Sequence, residues 1–434
     1  MLIDKCKQQL FTVTMKTIKT TKILILGAGT AGTIMANRLV KQRRQDWDIQ
    51  IIDEQATHYY QPGFLFLPFG RITERAITRQ RASFISKKVT YTQKPIDKIV
   101  ADKNRVLLTD GSELTYDVLI VATGAHIAPE ETPGLLGELW HKQIFDFYTF
   151  EGAMALREYL KDWKGGKLVV HITEMPIKCP VAPLEFSFLA DDFFKQKKLR
   201  NKVDITFVTP LTGAFTKPVA SAKLGHLLDE RNITVVPEFS VEHIDNAQKK
   251  LVSYDGKEVP FDLLVTVPTN KGSAVVQRSG LGDELNFIPT DHHTLQSKAY
   301  QNIFVVGDAT NVPASKAGST AHFETEILTD NIVRFVDGQE LKPAFDGHAN
   351  CFVESGNGKA LLIDFGYEVE PVEGTFPFPG IGPLQLLKES RLNHLGKKLF
   401  RLIYWYILLP ARPLPFITAK LQLSGKKLTK KEES

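Results

Sequence analysis

Short apolar runs, each closed by glycine or by a carboxylate, recur along the chain and predict buried strands of a parallel sheet. Ile23 to Leu26 ends at Gly27. "DIQIIDE" ends at Asp53-Glu54, "DVLIVATGA" at Ala122-Thr123-Gly124, and "NIFVVGDAT" at Gly307-Asp308. Between them, "KLVVHI" (167–172) and "FDLLVTVPTNKG" (261–272) have the same character, and Phe186 to Phe194 reads as an apolar helix. Near the C-terminus the pattern changes. Leu384 to Leu409 mixes apolar positions with Lys388, Arg391, Lys397, Lys398 and Arg401, which predicts a basic amphipathic helix.

The first run carries the most specific signal. A strand leads directly into Gly27-x-Gly29-x-x-Gly32, with Thr30 and Ala31 inside the turn, and a helix follows with Ala36 and Leu39 on its inner face. Gly27 permits the turn, Gly29 lets backbone approach a pyrophosphate, and Gly32 allows close helix–strand packing. Asp53 and Glu54 end the next strand, where a carboxylate takes ribose hydroxyls. The pattern predicts α/β architecture with two doubly wound dinucleotide-binding domains. The expected divisions are an N-terminal extension (1–21), a first domain in two parts (22–125 and 291–345), a second domain (126–290), and a C-terminal region (346–434). Met15 reads as a natural start, leaving 1–14 as a dispensable extension without signal-peptide character.

Composition narrows the function. The 434 residues are 43% hydrophobic and 24% charged, as in globular proteins, and a net charge of +5 gives no reason to expect nucleic acid. The basic surplus is concentrated after Lys388, which points to an anionic surface such as a membrane. No apolar run is long enough to span one, so a peripheral, monotopic association is expected. Tyr404-Trp405-Tyr406 reads as a headgroup-level aromatic cluster, with a buried dimerisation helix as the alternative. Cys6, Cys179 and Cys351 form no disulfide framework, and no haem or metal motif is present.

The second strand–loop–helix departs from the first. After "KLVVHI" comes "TEMPIKCPVAPLEF", which has no glycine and places Glu174 where a pyrophosphate would lie, so pyridine-nucleotide binding looks lost. The motifs at Ala122-Thr123-Gly124 and Gly307-Asp308 resemble those flanking FAD in two-dinucleotide-fold flavoproteins. "PIKCPVAPLE" resembles the signature of sulfide:quinone oxidoreductases, and "CFVESGNGKALLIDF" supplies that family's later cysteine. The similarity extends from Lys22 to about Leu409.

The resemblance implies noncovalent FAD and a Cys179–Cys351 redox pair. It further implies sulfide as substrate, polysulfide as product and a membrane quinone as acceptor. Cys351 would be the thiolate facing the flavin and Cys179 the sulfur carrier. Lys178 is a candidate for lowering a thiol pKa, Glu185 for a general base, and Lys316 for the charge at the flavin's pyrimidine edge. Phe352, Phe376, Phe378 and Lys388 are the quinone-pocket candidates. The family's further cysteine after the ATG motif is missing from "GAHIAPEETPG", hence the expectation of a two-cysteine subtype. A non-pumping NADH:quinone oxidoreductase, the flavin subunit of a flavocytochrome sulfide dehydrogenase, and a redox-inactive flavoprotein remain alternatives. A homo-oligomer is compatible with any of them.

Overall fold

The computed structural model describes residues 20–414 and 417–427. The expected N-terminal extension through residue 19, with Cys6, lies outside them. Strands β1 (Thr21–Leu26), β2 (Trp47–Ile52), β3 (Thr90–Thr92) and β4 (Val118–Val121) pair in parallel. Ile25 sits opposite both Ile51 and Ile120, and all three are fully buried. Near-continuous apolar runs suit a sheet covered on both faces.

A second parallel sheet is formed by β5 (Ile144–Phe145), β6 (Gly166–Ile172), β7 (Val203–Val208), β8 (Ile233–Val236) and β9 (Leu263–Val267), in the order β5-β9-β6-β7-β8. The chain then returns: β10 (Ile303–Val305) joins the first sheet beside β4, giving β10-β4-β1-β2-β3. A smaller mixed sheet follows, made of β11 (Ala349–Gly356), β12 (Lys359–Phe365), β13 (Gly374–Phe376) and β14 (Leu384–Leu386).

Four helices place the site. Helix α1 (Thr30–Lys41) follows the glycine turn, and α3 (Gly318–Val336) packs along it. Helix α2 (Ala182–Gln196) packs against β6, β7 and β11. It starts four residues before the apolar run at Phe186, because Pro183 is tolerated in a first turn, where its missing N–H costs nothing. Helix α4 (Arg391–Ile403) continues into a π-helical turn, Tyr404–Leu408.

The C-terminal region differs from the single helix that the pattern predicts. Residues 384–386 form strand β14, and α4 begins only after Ser390, whose hydroxyl accepts from Asn393 N–H at 3.0 Å. A serine N-cap of this kind fixes where a helix can start. Tyr404 and Trp405 are buried rather than aimed at a surface. Trp405 stacks on Phe84, Tyr404 packs on Tyr60, and the Tyr404 hydroxyl lies 2.7 Å from both Thr30 Oγ1 and His58 Nε2. Beyond the turn, the carbonyl of Leu409 accepts from Asn37 Nδ2 and that of Ala411 from Lys41 Nζ. The chain's C-terminal segment is thereby fastened to α1.

Candidate functional site

The glycine turn has the geometry its spacing requires. Gly27 has φ +93°, and a Cβ there would meet the Ala122 carbonyl oxygen at 2.5 Å. At Gly32 a Cβ would fall inside the Gly27 carbonyl, so any larger residue separates helix from strand. A Cβ at Gly29 or Gly124 would meet nothing within 4 Å, which leaves backbone open to the cleft at both places. The second strand's carboxylate closes the turn, since Asp53 Oδ2 accepts from Ala28 N–H at 2.7 Å and pairs with Arg81. Sequence reasoning did not single out Arg81. Glu54 lies on the same rim, exposed.

These residues line one continuous cleft of about 1130 Å³. That is above the roughly 300–1,000 Å³ of a pocket for a drug-sized ligand, as a site for an extended cofactor requires. Thr123 lines the cleft, and its Oγ1 is buried there without a partner. An orphaned hydroxyl beside two open glycines fits a bound polar group. Asp308 lines the same wall, on the turn that Gly307 makes with φ +73°. Behind it, Gly307 N–H donates to Glu324 Oε2 at 2.5 Å, and burial pushes the Glu324 carboxyl up to about 8.

The two remote cysteines line this cleft as well. Cys179 lies in the connection 173–181, which does not turn tightly into α2 as a phosphate loop would. Instead it reaches the first sheet's side of the cleft. Cys179 N–H donates to Lys316 O at 2.7 Å, and Tyr148 OH donates to Cys179 O at 3.2 Å. Cys179 itself has φ +47°, a left-handed conformation that costs a non-glycine residue roughly 1–3 kcal/mol. The contacts on both sides of its peptide hold it there.

Cys351 sits on β11, opposite Ile363, and Ser319 of α3 lines the cleft with it. Both thiols are free in this structure, and the two influence each other electrostatically. Burial pushes the Cys351 thiol up to about 12, with Lys397 pulling it down and Glu185 pushing it further up. Burial likewise raises Cys179 far above the ordinary thiol range, reinforced by Glu185 and opposed by Lys397.

The cation that faces both thiols is therefore Lys397, not Lys178. Lys178 does line the cleft, but its ammonium is 3.5 Å from Gln61 Oε1 and its backbone N–H is held by Asn270. Lys397 pairs with Glu185 and donates to Phe352 O at 2.9 Å. Burial works against its charge, yet Glu185 and Glu354 hold its pKa above the ordinary lysine value. Glu185, 1% exposed in the first turn of α2, also accepts from Glu354 N–H at 2.7 Å. Lys316 is turned into the protein. Its ammonium donates to the carbonyls of Asp308 and Thr310 and stands over the Phe287 ring. In this position it braces the Gly307-Asp308 turn.

Of the quinone candidates, Phe352 and Phe376 line the cleft, whereas Phe378 and Lys388 are exposed and outside its lining. The cleft's far wall is α4, through Leu392, Leu395, Leu399, Phe400 and Ile403. Among the described residues no cluster of His, Cys, Asp or Glu could hold a metal ion.

A family model described as pyridine nucleotide-disulphide oxidoreductase matches residues 21–171. The mitochondrial sulfide:quinone oxidoreductase of Dictyostelium discoideum is 28% identical over 398 residues, covering 90% of this chain and 86% of that protein. Its Schizosaccharomyces pombe counterpart is 26% identical over 408 residues, with 88% and 89% covered. The crystal structure of the sulfide:quinone oxidoreductase from Aquifex aeolicus superposes with a TM-score of 0.77 at 21% identity, over 91% of this chain and 92% of that one. Over nine-tenths of its length, the chain is thus a relative of the sulfide:quinone oxidoreductases, built on the pyridine nucleotide-disulphide oxidoreductase fold.

Proposed function

We propose that this protein is a membrane-associated, FAD-dependent sulfide:quinone oxidoreductase using Cys179 and Cys351 as its redox pair. The observation carrying the reading is that thiols from two remote segments line the cleft that the glycine turn opens. Gly27, Gly29, Thr30, Ala31, Asp53, Thr123, Gly124, Gly307 and Asp308 would hold FAD noncovalently. FAD supplies there a two-electron acceptor that quinone reoxidises.

The chain's own residues handle the sulfur. HS⁻ attacks the disulfide that the oxidised pair would form; the Cys179–Cys351 bond breaks and a persulfide forms on Cys179. Cys351 leaves as a thiolate, and Lys397 stabilises that charge in a site otherwise hostile to it. Glu185 holds Lys397 in place. It also raises both thiol pKa values, so the resting dithiol stays protonated and the anion appears only when the bond is cut.

Two observations disfavour NADH as the donor. The connection 173–181 has no glycine, and Glu185 places a buried carboxylate in the first turn of α2, where a pyrophosphate would bind. Anaerobic sulfide should bleach the flavin's visible absorbance, NADH should not, and a short-chain quinone should restore it. Bleaching by NADH alone would transfer the protein to the NADH:quinone oxidoreductases.

Membrane association rests on α4. Leu392, Leu395, Leu399 and Leu402 are each about half exposed and follow one another at helical spacing, with Arg391, Lys398 and Arg401 among them. Ile381 is 84% exposed nearby. Among the described residues no helix is long and apolar enough to cross a membrane, so the helix lies in the interface. The same helix lines the cleft, which gives quinone a route from lipid. Leu395→Asp with Leu399→Asp should weaken binding to anionic vesicles about a hundredfold, at ~1.5 kcal/mol per leucine, with the melting temperature unchanged in a vesicle-free assay.

A further inference from the structure

Three buried tyrosines line the cleft: Tyr60, Tyr148 and Tyr404. Two have their hydroxyls committed. Tyr148 OH donates to Cys179 O at 3.2 Å, and Tyr404 OH lies between Thr30 and His58. Tyr60 differs. It is only 3% exposed, yet its hydroxyl has no hydrogen-bond partner among the described residues. Unlike Trp405 Nε1 on a neighbouring ring, the Tyr60 oxygen is not sealed inside the protein. A buried tyrosine ordinarily finds a partner for its hydroxyl, so one left over beside a cleft calls for a bound group.

Packing alone holds this side chain in place. Tyr60 N–H donates to Ile77 O at 2.8 Å, and its carbonyl accepts from Gly63 N–H at 2.9 Å. Gly63 leaves room for the ring, since a Cβ there would meet Tyr60 Cδ1 at 3.2 Å. The ring packs on Tyr404, Trp405 and Phe400, with centroids 5.0, 6.4 and 6.5 Å away. Burial, with Tyr404 beside it, holds the hydroxyl far above the ordinary phenol range, so it stays an O–H donor at working pH.

Charge and setting decide what that donor serves. An anion in this cleft is drawn to Lys397, the ammonium that acts on both thiols. Tyr60 offers instead a neutral donor among aromatic rings, packed on Phe400 in the wall that α4 forms with Leu399 and Ile403. A mostly apolar pocket with one placed polar group suits a neutral ligand that carries a carbonyl. We propose that Tyr60 O–H donates a hydrogen bond to a carbonyl oxygen of the quinone and so orients its head group. This inference rests on the quinone reading above.

The test uses the oxidised, flavin-loaded, full-length protein and a short-chain benzoquinone labelled with carbon-13 at its carbonyls, so that binding is read without turnover. In the parent, isotope-edited infrared difference spectra should show one quinone C=O band lowered from its position in free quinone. Tyr60→Phe keeps the ring and its packing. There the band should return towards the free position, and the Kd from flavin fluorescence should weaken about fivefold, the worth of one neutral hydrogen bond. An unmoved band with unchanged Kd overturns the inference. Lost flavin in Tyr60→Phe also overturns it, by giving the hydroxyl to the cofactor. Slower bleaching by sulfide with quinone affinity intact does the same, by giving it to the sulfur side. A parent that binds no quinone overturns the quinone reading itself; a parent whose lowered band persists in Tyr60→Phe overturns the role of Tyr60 alone.

Discussion

The chain builds the same strand–turn–helix unit twice and uses it in opposite ways. Between β1 and α1 the connection is residues 27–29, two of them glycine, and what it offers a ligand is bare backbone. Between β6 and α2 the connection runs from 173 to 181, and what it offers is side chains: Lys178, Cys179 and, one turn into the helix, Glu185. A backbone cradle recognises phosphate through N–H groups and a helix dipole. A longer connection gives up that recognition and can instead carry a reactive group to a distant wall. The fold tolerates either because the parallel strands, not the connection, hold the sheet together.

The largest expected effect lies in the second unit. Cys179→Ser should slow reduction by sulfide on the order of 10³-fold, as loss of a nucleophilic partner does, with flavin content unchanged. Wild-type-like bleaching would remove the distinction between the two connections.

In the first unit, Gly32→Val should cost about 3 kcal/mol or more, since its Cβ has no room beside the Gly27 carbonyl. Flavin content and thermal midpoint should fall together. Gly29→Ala sharpens the point: with nothing within 4 Å of the new Cβ, the apoprotein's midpoint should stay put while FAD affinity drops about tenfold. Loss of stability in Gly29→Ala would mean that the turn is limited by packing rather than by the ligand.

Alkylation of the reduced dithiol probes the electrostatics of the second unit. Only thiolate reacts, so the rate rises with pH toward the Cys351 value of about 12. Glu185→Gln removes a charge that raises both thiols, and should move the curve to lower pH; Lys397→Met should move it higher. A shift of one pH unit corresponds to about a tenfold change in rate below the pKa. Opposite signs would overturn the assignment of Lys397. The smallest effect belongs to Tyr404→Phe, which loses the hydroxyl between Thr30 and His58. It should cost about 1 kcal/mol by chemical denaturation.

The first unit was legible because its ligand is read by the backbone. Glycine spacing encodes backbone geometry directly, and Gly27, Gly29 and Gly32 each have the surroundings that the spacing demands. The thiols were legible as a resemblance, not as a geometry, since nothing local tells Cys179 that it will line the same cleft as Cys351. Lys397 was missed for a definable reason. In a stretch holding Lys388, Arg391, Lys398 and Arg401, one more lysine reads as surface charge. The available signal was its helical phase: it lies opposite the leucine stripe at 392, 395, 399 and 402, on the side that carries His394. Tyr404 and Trp405 were misread because their partners, His58, Tyr60 and Phe84, come from the far end of the chain.

The carbonyls of Leu409 and Ala411 that cap side chains of α1 bear on how this protein can be handled. Trimming the C-terminus to obtain a detergent-free sample would also unclip the helix that carries the phosphate turn. Lost flavin in such a sample would then report a loosened clasp, not a missing membrane. A point change at Leu402, the one leucine of the stripe outside the cleft lining, keeps both the clasp and the cleft wall intact and so tells lipid dependence apart from cofactor retention.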